Sequence, residues 1–314
     1  YLVGAGIYDI TGPAAEIGMG GFAADNQKTA GISLRLRSRA FVVGDGNKRV
    51  VFVSADLWAM SQMVVLHVGK RIAADPVLSK YYSLKNICIS ATHTHNSHAG
   101  FDGYFLYDVP PKGFIRDCLN VVVDGIFNSI LLAHNNLEPG KILVNRGALD
   151  KCGWNRSPAM YENNPSWEKA LYNSNTDKTM TLLKLVNLEG DGIGMINWFA
   201  VHPDSIGPEN LMLSGDNKGH ASYMFEKDMS TDYQSTKTFV AAFAQTNAGD
   251  VTPNVPFTEH FGTVESAMEA ADIDRETAVE LGFPWYQAFG EADIQKNIAL
   301  RVIATRQYSK ARDL

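Results

Sequence analysis

The residues with most chemical potential are His93 and His95, in Ala91-Thr92-His93-Thr94-His95, directly after the apolar run Asn86-Ile87-Cys88-Ile89-Ser90. On an extended backbone residues i and i+2 point to the same side, so the two imidazoles can converge on one site. Histidine is the commonest neutral metal ligand and a general acid or base near neutral pH. A pair of them at the end of a buried strand does not serve a hydrophobic core. His202 lies before Pro203, which holds its backbone extended. Catalytic zinc usually takes three protein ligands and leaves one position for water. Beside His93 and His202, the candidates for a further donor are His95, Asp204, Asp216 and Asp250.

Two other segments carry reactive types. Gly249-Asp250-Val251-Thr252-Pro253 reads as a rigid turn after an apolar strand, where the Thr252 hydroxyl can act as a nucleophile or orient a water. Arg156, in Trp154-Asn155-Arg156-Ser157-Pro158, is a lone cation among turn residues and a candidate clamp for an oxyanion.

The elements that must position these residues can be read from periodicity. Ile32, Leu34 and Leu36 alternate with polar residues and predict a half-buried strand; Arg49 to Ser54 predicts a buried one. Met63 to Ala74 predicts a helix, and Asp117 to His134 a stronger one with Cys118, Val121, Val122, Ile126 and Ile130 on one face. Met180 to Val186 and Gly194 to Val201 flank Glu189-Gly190-Asp191-Gly192 as a hairpin. Thr238 to Ala244 predicts another buried strand, and Tyr286 to Ala311 a helix interrupted near Gly290. No internal repeat stands out. The mixture predicts an α/β chain: a layered α+β catalytic domain with mixed parallel and antiparallel sheets. Polar clusters follow the C-terminal ends of three strands, where layered folds place their sites.

With 314 residues, 45% of them apolar, a sizeable core is available. A net charge of -6 and the lack of a Lys/Arg cluster argue against nucleic acid as a partner. No stretch reads as the roughly 20 apolar residues of a transmembrane segment. The chain as given opens at Tyr1-Leu2-Val3-Gly4-Ala5-Gly6, without a leader-like pattern. Cys88, Cys118 and Cys152 lack metal-site spacing and read as ordinary thiols.

In order along the chain, Gly6-Ile7-Tyr8-Asp9-Ile10-Thr11-Gly12, Gln27 to Ile32, Ser90 to His95, Asn155-Arg156-Ser157-Pro158, Asn197 to Pro203, Ser214 to Gly219 and Gln245 to Asn254 resemble the N-terminal catalytic region of the neutral, non-lysosomal ceramidases. Beyond Asn254 the resemblance fades. It implies a zinc-dependent amidohydrolase acting on the linear N-acyl amide of ceramide, releasing sphingosine and fatty acid. Matched position by position, His93 and His202 correspond to zinc ligands. His95 and Arg156 correspond to groups that polarise the amide carbonyl and hold the oxyanion, as a protonated imidazole or a guanidinium. Thr252 stands where the family carries a required serine. The resemblance further implies a sphingolipid substrate at a membrane or micelle surface and a secreted, periplasmic or cell-surface location.

Three departures accompany the match. Thr252 keeps the hydroxyl but adds a methyl that restricts its rotamers. After His95 the family continues Ser-Gly-Pro, whereas this chain reads Asn96-Ser97-His98-Ala99-Gly100-Phe101, a rebuilt loop expected to alter substrate shape. The family's glutamate and tyrosine ligands lie C-terminal to the Thr252 turn, and neither motif is found before Leu314. Residues 1–314 are therefore expected to be the N-terminal part of a longer enzyme whose C-terminal remainder supplies further zinc ligands. Two alternatives follow: an N-deacylase of headgroup-bearing sphingolipids (glycosphingolipids, sphingomyelin), and an inactive lipid-binding relative. Phe101, Tyr104, Phe105 and Tyr107 are candidates for apolar residues around the cleft mouth.

Overall fold

The computed structural model describes residues 1–46, 48–253 and 291–314. Asn254 and the predicted helical stretch 286–290 lie outside them.

The N-terminal half runs β1 (Leu2–Asp9), β2 (Gly31–Ile32), β3 (Arg37–Gly44), β4 (Arg49–Ala55), α1 (Gln62–Ala74), β5 (Ile87–Ala91), α2 (Phe105–Asp108) and α3 (Arg116–Asn135). The second half runs β6 (Glu138–Ala148), β7 (Trp154–Asn155), α4 (Pro158–Glu162), α5 (Ser166–Lys169), β8 (Thr179–Asn187), β9 (Gly192–Phe199), β10 (Met212–Leu213), α6 (Asp216–Asp228), β11 (Val240–Gln245), β12 (Val251–Thr252) and α7 (Glu291–Asp313).

Eight strands hydrogen-bond in the order β11-β9-β8-β6-β1-β3-β4-β5. The β1–β6 seam is only two residues long, Leu2 opposite Pro139 and Val3 opposite Glu138. At that seam the sheet folds into two four-stranded leaves packed face to face. Val3, Ala5, Ile7 and Phe41 of the first leaf share one buried cluster with Leu185, Ile196, Val240 and Ala242 of the second. The Phe52 and Trp198 rings meet across the gap at 5.3 Å.

The two leaves have the same topology. In each, two antiparallel pairings lead to a helical crossover and a parallel strand: β1-β3-β4-α1-β5, then β6-β8-β9-α6-β11. Each unit is followed by a further helix, α3 or α7, giving a helix–sheet–sheet–helix sandwich. No sequence repeat announces this duplication.

Packing follows from the residues. Ser61 caps α1 through Val64 N, and Val64, Val68 and Ile72, four apart, form its buried stripe. Leu119, Val122, Ile126 and Ile130 of α3 are buried, each large apolar side chain contributing about 1.5–3 kcal/mol. Val121 is only half-buried, at the edge of that face. By length and composition α3, with mean hydropathy 1.2, suits a bilayer; here its apolar face lies on β1 and β3. Close approach is possible because a Cβ at Gly6 would sit 2.4 Å from Ser129 O.

Two expectations are corrected. The alternation at Ile32–Leu36 does not make a strand. Only Gly31–Ile32 pairs, parallel to Met212–Leu213, because Ser33 N and Leu34 N both donate to Leu213 O and the pairing ends there. Secondly, β5 is half-buried, with Cys88 exposed, because it is an edge strand. The 180–201 hairpin and the helices at 63–74 and 117–134 form within a few residues of expectation.

One buried ion cluster ties the layers. Arg39 on β3 reaches Asp56 at 2.7 Å and grips both oxygens of Glu226 on α6 at 2.7 and 3.2 Å. Burial opposes the Arg39 charge, but the two carboxylates outweigh it and raise its pKa. Glu226 also accepts from Ala241 N. Glu226→Ala therefore leaves a buried charge under-compensated and is expected to cost about 3–5 kcal/mol of stability. Urea unfolding checks this; a loss below about 1 kcal/mol contradicts it.

Candidate metal centre

The site forms where strand ends from both leaves meet. His93 and His95 follow β5, His202 follows β9, and the turn carrying Thr252 follows β11. Thr92 N is held by Ala55 O at the end of β4 and His93 N by Leu57 O just beyond it, His202 N by Val251 O, and His95 N by Pro203 O. His93 adopts a left-handed backbone (φ 72°), unusual for a residue with a side chain.

The three imidazoles converge. Ring centroids lie 4.7 Å apart for His93–His202, 4.9 Å for His93–His95 and 5.2 Å for His95–His202. One nitrogen from each lies within 4.8 Å of the others. His93 Nδ1 faces Trp58 O and His202 Nδ1 faces Ala248 O at 2.7 Å. A backbone carbonyl there holds the proton on Nδ1 and turns the Nε2 lone pair inward, as outer-shell partners of metal-bound histidines do.

His95 is held differently. Its Nε2 stands 3.4 Å from His93 Nε2, and its buried Nδ1 has no partner among the described residues. The adjacent loop covers it: Phe22 meets its ring edge-on at 4.4 Å, and a Cβ on Gly21 (φ 104°) would come within 2.5 Å of it. Gln27 Nε2 holds its carbonyl at 3.2 Å.

Burial pushes all three histidines down, His95 to about 3, with the neighbouring imidazoles and Arg156 adding to the shift at His95. The pair of tied rings and the third imidazole are thus neutral near pH 7, the form that binds metal. The expected protonated imidazole at His95 is replaced by a neutral one, because a charge there would be buried among other nitrogens.

Arg156 Nη2 donates to Gly249 O at 2.6 Å, and Nη1 lies 3.8 Å from Asp204 Oδ2. Burial raises the Asp204 pKa, partly offset by this arginine. Thr252 pairs with Trp154 across the β7–β12 bridge, one residue from the Val251 carbonyl that holds His202. Of the other carboxylates weighed as ligands, Asp216 is turned away, accepting from Ser205 N and Ile206 N, and Asp250 accepts from Asn155 Nδ2.

The rebuilt loop after His95 is absorbed into packing. Asn96, Ser97 and His98 are fully buried; Asn96 bonds Asp216 and Asn210, Ser97 takes Trp58 N, and His98 meets Ile10 O. Phe101, expected at the mouth, is also buried, whereas Tyr104, Phe105 and Tyr107 are exposed. Sequence reasoning missed Trp58 and the loop around Gly21 entirely. The doubled glycine at Gly20-Gly21 was the available signal.

Neutral imidazoles beside a guanidinium, at strand ends shared by two leaves, define a metal-centre hydrolase-like site. Comparison with known proteins agrees in class. The N-terminal region of the neutral/alkaline non-lysosomal ceramidases matches residues 1–314. Neutral ceramidase B of Dictyostelium discoideum is 43% identical over 81% of this chain and 36% of its own length. The Oryza sativa neutral ceramidase is 48% identical over 72% and 29%. The crystal structure of neutral ceramidase from Pseudomonas aeruginosa superposes with a TM-score of 0.82 at 35% identity, covering all of this chain and 44% of that one. The chain belongs to the neutral/alkaline non-lysosomal ceramidase family, and spans less than half the length of these relatives.

Two predictions follow from the geometry. If the cluster holds a metal, His93→Ala and His202→Ala should each lower metal retention at least tenfold, measured by metal analysis after dialysis; parent-level metal in both variants would remove them as ligands. Secondly, His95 and the buried His98 (pushed down to about 4) bind protons in the unfolded chain but not in the folded one. Their contribution to stability is therefore full above about pH 6.5 and falls as pH drops from there towards 4, whereas the buried carboxyls of Asp102 and Asp216, raised to about 7 and about 6, contribute with the opposite sign. Thermal unfolding of the parent beside His98→Asn across that range isolates the histidine share: the parent's advantage over the variant should shrink as pH falls.

Proposed function

We propose that this chain carries the core of a zinc amidohydrolase site that cleaves the N-acyl amide of ceramide into sphingosine and a fatty acid. The observation that carries the reading is the backbone carbonyl facing Nδ1 of both His93 and His202, with His95 and Arg156 beside them, in a chain of this family. The donor set fits zinc: the His93 and His202 rings lie with centroids 4.7 Å apart and each has Nδ1 tied to a backbone carbonyl, which leaves two neutral Nε2 donors of the kind zinc takes. His93 and His202 are the ligands in this reading, because only they have Nδ1 tied to a carbonyl. Zinc bound there would polarise the amide carbonyl and lower the pKa of water to roughly 7.

The chain's own residues supply the rest. His95, neutral, donates its Nε2–H to the oxygen of the tetrahedral intermediate. Arg156 adds a formal charge from the rim, held in place by Gly249 O and Asp204. The Thr252 hydroxyl orients the attacking water or the substrate. The C-terminal remainder of the enzyme completes the metal shell, since two imidazoles fall short of the usual three or four ligands.

The exposed residues Tyr104, Phe105 (89% exposed), Leu106 and Tyr107 support a lipid substrate taken from a membrane or micelle surface. The Tyr107 ring lies 6.0 Å from that of Trp58, whose carbonyl anchors His93. A secreted, periplasmic or cell-surface location accords with such a substrate. N-deacylation of headgroup-bearing sphingolipids loses one of its two supports, because the rebuilt loop faces the core; Thr252 remains.

Release of a labelled fatty acid from ceramide should disappear with a zinc chelator and return with zinc. Activity that survives full removal of metal overturns the mechanism. Thr252→Ser should keep activity within about threefold and Thr252→Ala should lose at least a hundredfold; a fully active Thr252→Ala variant contradicts the role of the hydroxyl. Comparable rates on glycosylated ceramide would bring back the headgroup reading.

A further inference from the structure

The histidines that must converge are borne by different leaves: His93 and His95 by the first, His202 by the second. Each is fixed on its own side, His93 N to Leu57 O and His202 N to Val251 O. Something must set the spacing between the leaves at this point.

Gln245 ends β11, the strand paired with β9 and lying close to β5. A side-chain amide has two N–H bonds, and here both are used. Nε2 donates to Thr92 O at 3.1 Å and to Val201 O at 2.8 Å. Thr92 immediately precedes His93, and Val201 immediately precedes His202. Oε1 is turned back to its own chain, accepting from Thr246 N at 3.2 Å. On the far side of the histidines the leaves are tied again by His95 N to Pro203 O at 3.1 Å. The two ties bracket the imidazole cluster.

We propose that Gln245 is a positioning residue that sets the separation of His93 and His202 by clamping the two carbonyls in front of them. The inference rests on the metal-site reading above. The requirement is specific to glutamine. Asparagine is one methylene too short to reach both carbonyls. Methionine has the length but no donor. A carboxylate would face two carbonyl oxygens.

The test compares Gln245→Met and Gln245→Asn with the parent in the purified protein. Zinc affinity is measured by competition with a chromophoric chelator, and amide hydrogen exchange is followed in the metal-free form. Gln245→Met should weaken zinc binding by 10–100-fold, the size expected for an outer-shell partner. It should lower kcat with KM within about twofold, and speed exchange at the His93, His95 and His202 amides at least tenfold. Amides of β1, remote from the clamp, should keep parent protection. Gln245→Asn, which retains one donor pair and most of the volume, should fall between the two and serves if the methionine variant folds poorly. Zinc affinity within twofold of the parent, or unchanged exchange at the three histidines, overturns the proposal. A parent that binds no zinc sinks the metal reading alone, because exchange at the three amides still decides whether Gln245 clamps them.

Discussion

The arrangement depends on how the free edge of β11 is closed. An edge strand inside a protein exposes backbone groups that neither water nor a neighbouring strand can satisfy. Here α6 supplies the partners from one face, at positions four apart. Glu226 Oε1 takes Ala241 N and Ser222 Oγ takes Phe243 N at that edge, while Lys218 Nζ donates to Ala244 O at the strand's C-terminal end. Lys218 also reaches Phe199 O and Gln307 Oε1, and burial brings its pKa down to about 7. The helix thus acts as a side-chain strand. Because β11 ends the second leaf, Glu226 can pass its edge and hold Arg39 of the first. The same contact that satisfies an edge joins the leaves.

That closure fixes where the chemistry can sit. With both leaves built on one topology, β5 and β11 are the crossover strands, and each ends at the same rim as its parallel neighbour, β4 or β9. Four C-terminal strand ends therefore face one another across the sandwich. β4 contributes a carbonyl from Trp58, β5 two imidazoles, β9 a third, and β11 the turn that carries Ala248, Val251 and Thr252. No single segment could present this set. Each histidine N–H is held by a carbonyl of a neighbouring segment, so imidazole directions follow from the strand ends together with the loop conformation just beyond them, including the left-handed backbone at His93.

Much of this was legible in the sequence. The two close histidines, the strand before them and His202 before proline carry local signatures, and the structure brings the three imidazoles together, although by a left-handed turn at His93 and not by the extended backbone that the i, i+2 spacing implied. Hairpin and helix periodicities at 180–201, 63–74 and 117–134 were equally local. What was not legible depends on pairing over distance. The strand expected at Ile32–Leu36 failed because alternation reports burial and not a partner; Leu36 is buried, yet its N–H goes to Thr11 Oγ1. The rebuilt loop at Asn96–Phe101 looked like substrate-facing variation because it departs from the family's Ser-Gly-Pro directly after His95; its polar residues Asn96 to His98 instead face the core. Their partners, Asp216, Asn210, Trp58 and Ile10, are spread over most of the chain. The fold duplication was invisible because the halves share topology without sharing residues.

Burial divides the site into a floor and a rim. His95 and His202 are buried, whereas the Arg156 side chain is 44% exposed and the aromatic residues of α2 stand in solvent. Burial opposes a charge on the floor, and the nearby Asp204 offsets this only in part at His93, so all three imidazoles are pushed towards the neutral form. On the proposed reading, an uncharged amide between alkyl chains enters such a site without a large desolvation penalty. On the same reading, negative charge arises only when the carbonyl is attacked, and the His95 imidazole on the floor and the Arg156 guanidinium at the rim are the groups to meet it. On the proposed reading, stabilisation is confined to the state that carries the charge, which is where it raises a rate.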